Sequence, residues 1–486
     1  MKTLSRQLLI IGAIVGGSWA SLAQHLEVDG SIRVGEMTLD STAAGTIRWN
    51  PESNDFEGFT GYDWKSLTRT ENLWGVLQSS QNYKIGSIPQ FQGDSLGYSM
   101  AAFDSILVVG APGFNDHTGA VFVYHLLENN WIQIARLSAF DATTGDQFGY
   151  DVGIYGDVIA VGAPYDDDGG SSTGSIYVYQ KPIPSWTDMF QTAKLSASDR
   201  SAGDHLGFSV AIDMNVIVGG APAESSPLGA VYLFEKPMSG WVNTVEDAKL
   251  TPKEESYFVS SMGYSVDISN DVVVAGSPWS NGARGVVYVF EKPEGGWSDT
   301  TLSPSLGDGG SVSLRETIFK TNNHSSKFSS EQPSLAPFFV GEERFGKSLS
   351  IQGQTLVVGA PGGGAINPGA IYVFTQDSSA WTLQAVLSSS DGQRGALFGN
   401  KVHLNDNLIV AGAPQNDFQG LNSGAAYVYR KPPGGWTDMA ETTKIVAGNG
   451  LAGDQFGSSI VSSSSSIIVT SYLTSNYGGS LYIYHR

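Results

Sequence analysis

Between Gly145 and Tyr179 three short apolar segments follow one another. Phe148–Ile154 alternates apolar and polar positions, Val158–Ala163 is a continuous apolar run, and Ser175–Tyr179 alternates again. Clusters of Gly, Asp and Pro separate them, as expected of a small antiparallel meander. Gly162-Ala163-Pro164 ends the second segment, because proline cannot donate to a sheet ladder. Most of the chain is copies of this unit.

Seven copies are in register. Each opens on an aromatic or aliphatic residue followed by glycine, at Gly97, Gly149, Gly207, Gly263, Gly346, Gly399 and Gly457. Six carry a Gly-Ala/Ser-Pro triplet, starting at Gly110, Gly162, Gly220, Gly276, Gly359 and Gly412; the seventh has Thr470-Ser471-Tyr472 instead. An aromatic strand follows, from Phe122/Tyr124 to Tyr482/Tyr484. A fourth segment comes next, at Arg136-Leu137, Lys194-Leu195, Lys249-Leu250, Val386-Leu387 and Lys444-Ile445, with Thr301-Leu302 standing in for it in the fourth copy. Repeats of about 50–60 residues with four strands each predict propeller blades. The seventh copy stops after its third strand, while Lys84-Ile85 lies 12 residues before Gly97. An N-terminal strand that completes the last blade would leave the ring without an open edge.

These residues resemble the FG-GAP repeats of the integrin alpha-subunit head, over roughly residues 71–486. The resemblance implies an all-β fold, a seven-bladed β-propeller of four-stranded antiparallel blades closed by an N-terminal strand. It also implies a binding or adhesion protein, not an enzyme, with an extracellular protein or glycan as ligand. Integrins hold calcium in a long acidic loop between the first and second strands of several blades. Here that connection is a short turn, as at Gly156-Asp157, too short to wrap six or more oxygens round the ion. No metal and no cofactor is therefore expected.

The first 23 residues have the form of a secretory signal. Lys2 and Arg6 precede an apolar run, Leu8–Gly17, and Ser21-Leu22-Ala23 is a small-residue cleavage site. The product is expected to be secreted, at the cell surface or in a periplasm. Cysteine is absent, which excludes a disulfide scaffold and a cysteine-linked lipid anchor. The formal charge of −20 becomes −22 once Lys2 and Arg6 leave with the signal. Such a surface repels nucleic acid and anionic membrane, and no other stretch is apolar enough for membrane insertion. Residues 24–68 do not follow the repeat. Leu26–Val34, Gly45–Trp49 and Phe56–Leu67 read as short strands of a small β module, a spacer or an oligomerising knob through residues 25–67. Residues 69–486 make up the propeller.

Antiparallel pairing puts first-to-second and third-to-fourth connections on one face, and second-to-third and fourth-to-first connections on the other. The first face is tight, with short turns and a repeated Lys-Pro-x-x-x-Trp whose Trp is read as a packing anchor. Variation gathers on the second face. There Phe114, Tyr165, Trp279 and Phe418 stand near Asp166, Asp167, Asp168 and Asp417. Aromatics beside carboxylates suit sugars, peptides or cationic groups; the same Asp and Gly residues also suit ordinary turns. Asp166-Asp167-Asp168-Gly169 lacks the spaced ligands and closing Glu of a calcium loop. The connection from Leu302 to Gly346 spans 44 residues where the others take about 12, with an insert at 303–341; long loops are functional or disordered.

No catalytic constellation stands out. The seven histidines are scattered without metal-ligand spacing, and there is no nucleophile elbow or phosphate loop. Three readings remain: a binding or adhesion protein, a glycan-acting propeller enzyme whose carboxylate pair composition alone does not reveal, and a structural surface component.

Overall fold

The computed structural model describes residues 47–50, 55–59, 64–66, 83–86, 93–223, 228–252, 261–302, 343–362, 368–377, 380–473 and 478–485. Residues 1–23, expected to be a secretory signal, Leu26–Val34, the 68/69 border and the insert at 303–341 lie outside them. The chain divides into two units, Met1–Val76 and Leu77–Arg486. In the first, Ile47–Asn50, Asp55–Phe59 and Trp64–Ser66 form a three-stranded antiparallel sheet. The segment read as Phe56–Leu67 is thus two strands, with Phe59 facing Trp64.

The second unit is a seven-bladed propeller with one sheet per copy of the repeat. Blade two shows the pattern: Val152–Tyr155, Val158–Ala163, Ser175–Gln180 and Ala193–Ser196 pair in chain order, all antiparallel. The first strands surround the centre. Each touches the first strand of the next blade, and Ile460–Ser462 of blade seven touches Met100–Phe103 of blade one. Tyr83–Gly86 pairs antiparallel with Ser480–His485 as the fourth strand of blade seven.

The core lies between blades. Val108 and Val123 of blade one pack with Val152, Ile159, Val161, Tyr177, Tyr179 and Trp186 of blade two, all buried. Full burial of each such side chain stabilises by about 1.5–3 kcal/mol. The recurring Trp residues belong to this packing; Trp131, Trp186, Trp241, Trp381 and Trp436 are buried.

Two glycines per repeat are required by this packing. Gly149 has φ +90°, which side chains adopt with strain. At Gly162 a Cβ would lie 1.9 Å from the Gly207 carbonyl oxygen of the next blade. The seventh copy breaks the triplet for a visible reason. In blades one, three, four and five a serine just after the repeat glycine bonds the next blade's repeat glycine, as Ser99 Oγ does to the Gly149 carbonyl at 3.0 Å; blades two and six have Asp151 and Lys401 there. At the closing junction Thr470, in the place of the triplet glycine, supplies the hydroxyl, donating to the Gly97 carbonyl at 2.8 Å.

Thr301-Leu302 is not the fourth strand of blade four. Thr300–Leu302 pairs parallel with Ala248–Pro252, on the outer edge of blade three. Among the described residues it is one of four such clasps. Met189–Phe190, Thr244–Val245 and Met439–Ala440 likewise pair parallel with the fourth strand of the preceding blade. Just ahead of each lies a side chain that accepts from that strand's backbone. Arg136 N donates to Asp188 Oδ1 at 2.7 Å, Lys194 N to Asn243 Oδ1 at 2.8 Å, Lys249 N to Asp299 Oδ1 at 2.9 Å and Val386 N to Asp438 Oδ1 at 2.8 Å. The clasps cover edges that would otherwise expose unpaired backbone. Trp186 to Leu195, Trp241 to Leu250 and Trp436 to Ile445 are each nine residues apart. The same spacing from Trp297 points to Leu306, outside the described residues.

Candidate ligand-binding face

The residue after each repeat glycine lies one or two positions ahead of the first strand, where the fourth-to-first loop ends. It therefore sits at the mouth of the central channel on the second face. These seven positions hold Tyr98, Tyr150, Phe208, Tyr264, Lys347, Asn400 and Ser458, all half-buried. Four aromatics run along one arc. Ring centres are 4.9 Å apart for Tyr98 and Tyr150, 5.0 Å for Tyr150 and Phe208, and 4.9 Å for Phe208 and Tyr264. Tyr472 meets Tyr98 edge-on at 5.4 Å. Lys347 continues the arc, with its Nζ 4.1 Å from the centre of the Tyr264 ring and donating to the Tyr264 hydroxyl. Burial pushes the Lys347 amine down, with Arg344 and Lys401 adding repulsion, to about 8.

A second set of charges follows the first strands inward. Asp151 accepts from Val210 N at 2.8 Å, and Asp267 from Ile351 N at 2.8 Å. Burial raises both carboxyls, that of Asp267 to about 7, while Lys401 opposes the rise. His403 shares a hydrogen bond with Ser462 Oγ at 3.0 Å; burial, with help from Lys401, lowers its imidazole to about 4. Among the described residues no group of three His, Asp or Glu is placed to hold a metal ion.

The structure distributes the residues singled out in the sequence. Tyr165 reaches the mouth, 6.2 Å from Tyr150 and 5.0 Å from His205. Trp279 borders it through Arg344, whose guanidinium lies 4.7 Å from the indole centre. The other six stay in their own loops. Phe114 is half-buried against Phe122 at 6.0 Å, with the Arg136 guanidinium 5.9 Å away. Asp166 is only 2% exposed. It accepts from Tyr177 Oη at 2.6 Å and Asp168 N at 2.9 Å, and pairs with Lys194 Nζ at 2.7 Å. Asp141 and Asp168 hold the same ammonium at 2.8 and 2.6 Å. Lys194 thus occupies the place a cation would take among these carboxylates. Asp167 is exposed, and its carbonyl accepts from Gly170 N. Asp417 is exposed and caps its loop by accepting from Asn422 N at 2.7 Å. Phe418 is exposed, with Lys444 Nζ 4.1 Å from its ring centre.

The lysine-carboxylate-tyrosine arrangement recurs. Lys249 meets Asp199 at 2.6 Å beside Tyr232, and Lys444 meets Asp391 at 2.7 Å beside Tyr427. It is scaffold, tying a fourth strand to the loop that leaves the blade before it. The axial ring was missed because its signal is one position per repeat: an aromatic directly after the glycine in four consecutive copies.

An all-β propeller with aromatic-Gly openings and Gly-Ala-Pro strand ends defines the class. The repeats are FG-GAP repeats, matched by the model of that family at residues 131–179, 189–234, 340–374, 381–429 and 439–484. The chain is thus a seven-bladed propeller that matches FG-GAP repeats over these segments and is similar to integrin alpha chains. It is 27% identical over 240 residues to integrin alpha-11 of Homo sapiens, covering 44% of this chain and 20% of that one. It is 25% identical over 224 residues to integrin alpha-4 of Xenopus laevis, covering 41% and 20%. With integrin alpha-2 of Bos taurus the identity is 25% over 237 residues, covering 43% and 20%. The match spans about a fifth of these relatives' length. Among solved structures, the WD40 β-propeller domain of Doa1 superposes with a TM-score of 0.43 at 11% identity, covering 83% of this chain and 97% of that one. Among the described residues no helix is long and apolar enough to cross a membrane.

Proposed function

We propose that this is a secreted or cell-surface binding protein, without enzymatic activity, that captures an extracellular protein or glycan ligand on the second face of its propeller. The observation that carries the proposal is the aromatic arc Tyr98-Tyr150-Phe208-Tyr264, half-buried at the channel mouth and bordered by Tyr165 and Trp279. Aromatic faces in a concave site with few polar groups are the usual furniture of ligand pockets. Half-buried rings that only closed a core would be covered, as Tyr177 and Tyr179 are in this same fold. Similarity to integrin alpha chains supports adhesion as the setting. The small β module would then be the spacer or oligomerising knob that presents the propeller.

Glycan and peptide arrays, run beside a panel of glycosidase substrates, test this. Tyr150→Ala and Phe208→Ala should abolish array binding, whereas Met214→Ala, exposed in a first-face turn, should not. Binding that survives both mouth substitutions counts against the site. Turnover lost on replacing a single carboxylate would establish the glycan-acting enzyme instead.

A further inference from the structure

Lys347 is a half-buried base whose ammonium rests on an aromatic ring and not on a carboxylate. Lys181, Lys194, Lys249, Lys292 and Lys444 each pair with at least one carboxylate. Among the described residues Lys347 pairs with none; its Nζ meets only the ring and hydroxyl of Tyr264. The charges nearest to it, Arg344 and Lys401, are also positive and push its amine down together with burial. Of the carboxylates nearby, Asp151 and Asp267 face Lys401, and the buried Glu343 faces Arg284. A half-buried ammonium with no counter-ion is costly. In a chain of net charge −20 a carboxylate partner would have been easy to provide. Such uncompensated groups concentrate at functional sites.

Around Lys347 the ring offers two kinds of surface. On one side run the aromatic faces of Tyr264, Phe208, Tyr150 and Tyr98; on the other, Asn400 and Ser458 hold the equivalent positions. Apolar faces beside a few fixed polar groups match a sugar ring, whose C–H face stacks while its hydroxyls bond. The ammonium adds a charge-assisted contact for one carboxylate.

Resting on the reading of the second face as a binding face, we infer that the channel mouth takes an acidic sugar, a terminal hexuronic acid residue. Its carboxylate meets Lys347 Nζ, and its ring face lies on the aromatic arc. A single carboxylate fits better than a polyanion, because a chain of net charge −20 repels further negative charge. A cationic ligand would meet Lys347, Arg344 and Lys401.

The test uses a disaccharide ending in one hexuronic acid and the methyl ester of the same compound, titrated by calorimetry into the full chain. The acid is expected to bind at least about tenfold tighter than the ester, a difference of about 1.4 kcal/mol. Lys347→Met should remove that difference, Lys347→Arg should keep it, and Tyr150→Ala should weaken both compounds. The preference should decline as pH rises through about 8, where Lys347 loses its proton. Equal binding of acid and ester, or a preference that survives Lys347→Met, overturns the inference. If both compounds bind equally and Tyr150→Ala abolishes them, the binding face stands and only the acidic preference falls. If neither binds at millimolar concentration the acidic-sugar inference falls, and the arrays decide the face independently. Should Lys347→Met fail to fold, Lys347→Arg and the pH profile decide the question.

Discussion

Removing the Lys194 ammonium probes how the acidic loop of blade two is held. Lys194→Met keeps most of the apolar stem and deletes a charge that three carboxylates share: Asp141 at 2.8 Å, Asp166 at 2.7 Å and Asp168 at 2.6 Å. The side chains are 28%, 2% and 50% exposed, so water screens Asp168 strongly and Asp166 hardly at all. Breaking a buried pair costs about 3–5 kcal/mol, and an exposed one about 0–1 kcal/mol. Asp166 keeps Tyr177 and the Asp168 backbone as partners. We expect a loss of about 2–4 kcal/mol, between those limits. Unfolding entropy is about 2.1 cal/mol/K per residue, so a ring of about 400 residues melting as one unit should lose about 2–5 °C in Tm. In the parent, burial pushes the Asp141 carboxyl up, but the hydrogen bond and charge of Lys194, with further hydrogen bonds, together hold it below its ordinary value. That stabilisation is present above the unfolded-state value and is lost as pH falls through the lower folded-state value. In the variant the Asp141 carboxylate loses that ammonium and faces its acidic neighbours, so its folded-state value rises, and protonation then favours the folded form. The deficit should therefore shrink as pH falls from 7 towards 4.5. Scanning calorimetry at several pH values measures this, with Asp166→Asn added to Lys194→Met expected to restore part of the loss. A Tm unchanged at pH 7, or a deficit that grows on acidification, would refute the reasoning.

Thr470→Ala should destabilise by about 1–3 kcal/mol, because the Gly97 carbonyl at the closing junction loses its buried donor; Thr470→Ser should not, and urea titration distinguishes them. Deleting residues 24–88 should lower the melting temperature of the whole ring by removing Tyr83–Gly86, whereas deleting 24–68 should not; equal melting curves contradict this. Asp267 has its carboxyl raised by burial to about 7, so the parent should lose stability as pH rises from 4 through 7 relative to Asp267→Asn. Parallel profiles of Tm against pH would show that the channel does not bury that charge. Millimolar calcium should leave Tm unchanged, since Lys194 already occupies the acidic cluster of blade two; a rise reversed by chelator would contradict that.

The blades were legible because their signals are local and repeat in register. Gly162 and Gly149 mark places where only glycine fits, and both motifs can be counted by eye. Thr301-Leu302 was misassigned because a clasp and a fourth strand look alike in sequence. What separates them is the partner, Ala248–Pro252 of the preceding blade, and pairing is not a local property. The fate of Asp166 was hidden for a similar reason: Lys194 lies 28 residues away in sequence, and only folding brings its Nζ to 2.7 Å. Exposure of Phe418 could be guessed from its polar loop. The axial ring could not, since convergence at one mouth is a property of the closed circle and not of any single repeat.

The central claim is that ligand meets this protein at the channel mouth of the second face. Hydrogen exchange with and without a ligand selected on the arrays tests it most directly. The account predicts protection at the loop-to-strand segments 147–152, 205–210, 261–266 and 344–349, which carry Tyr150, Phe208, Tyr264 and Lys347. The first-face turns at 156–157, 214–215 and 270–271 should exchange unchanged. Protection confined to those turns, or to the outer edges of the blades, with none at the mouth, would contradict it.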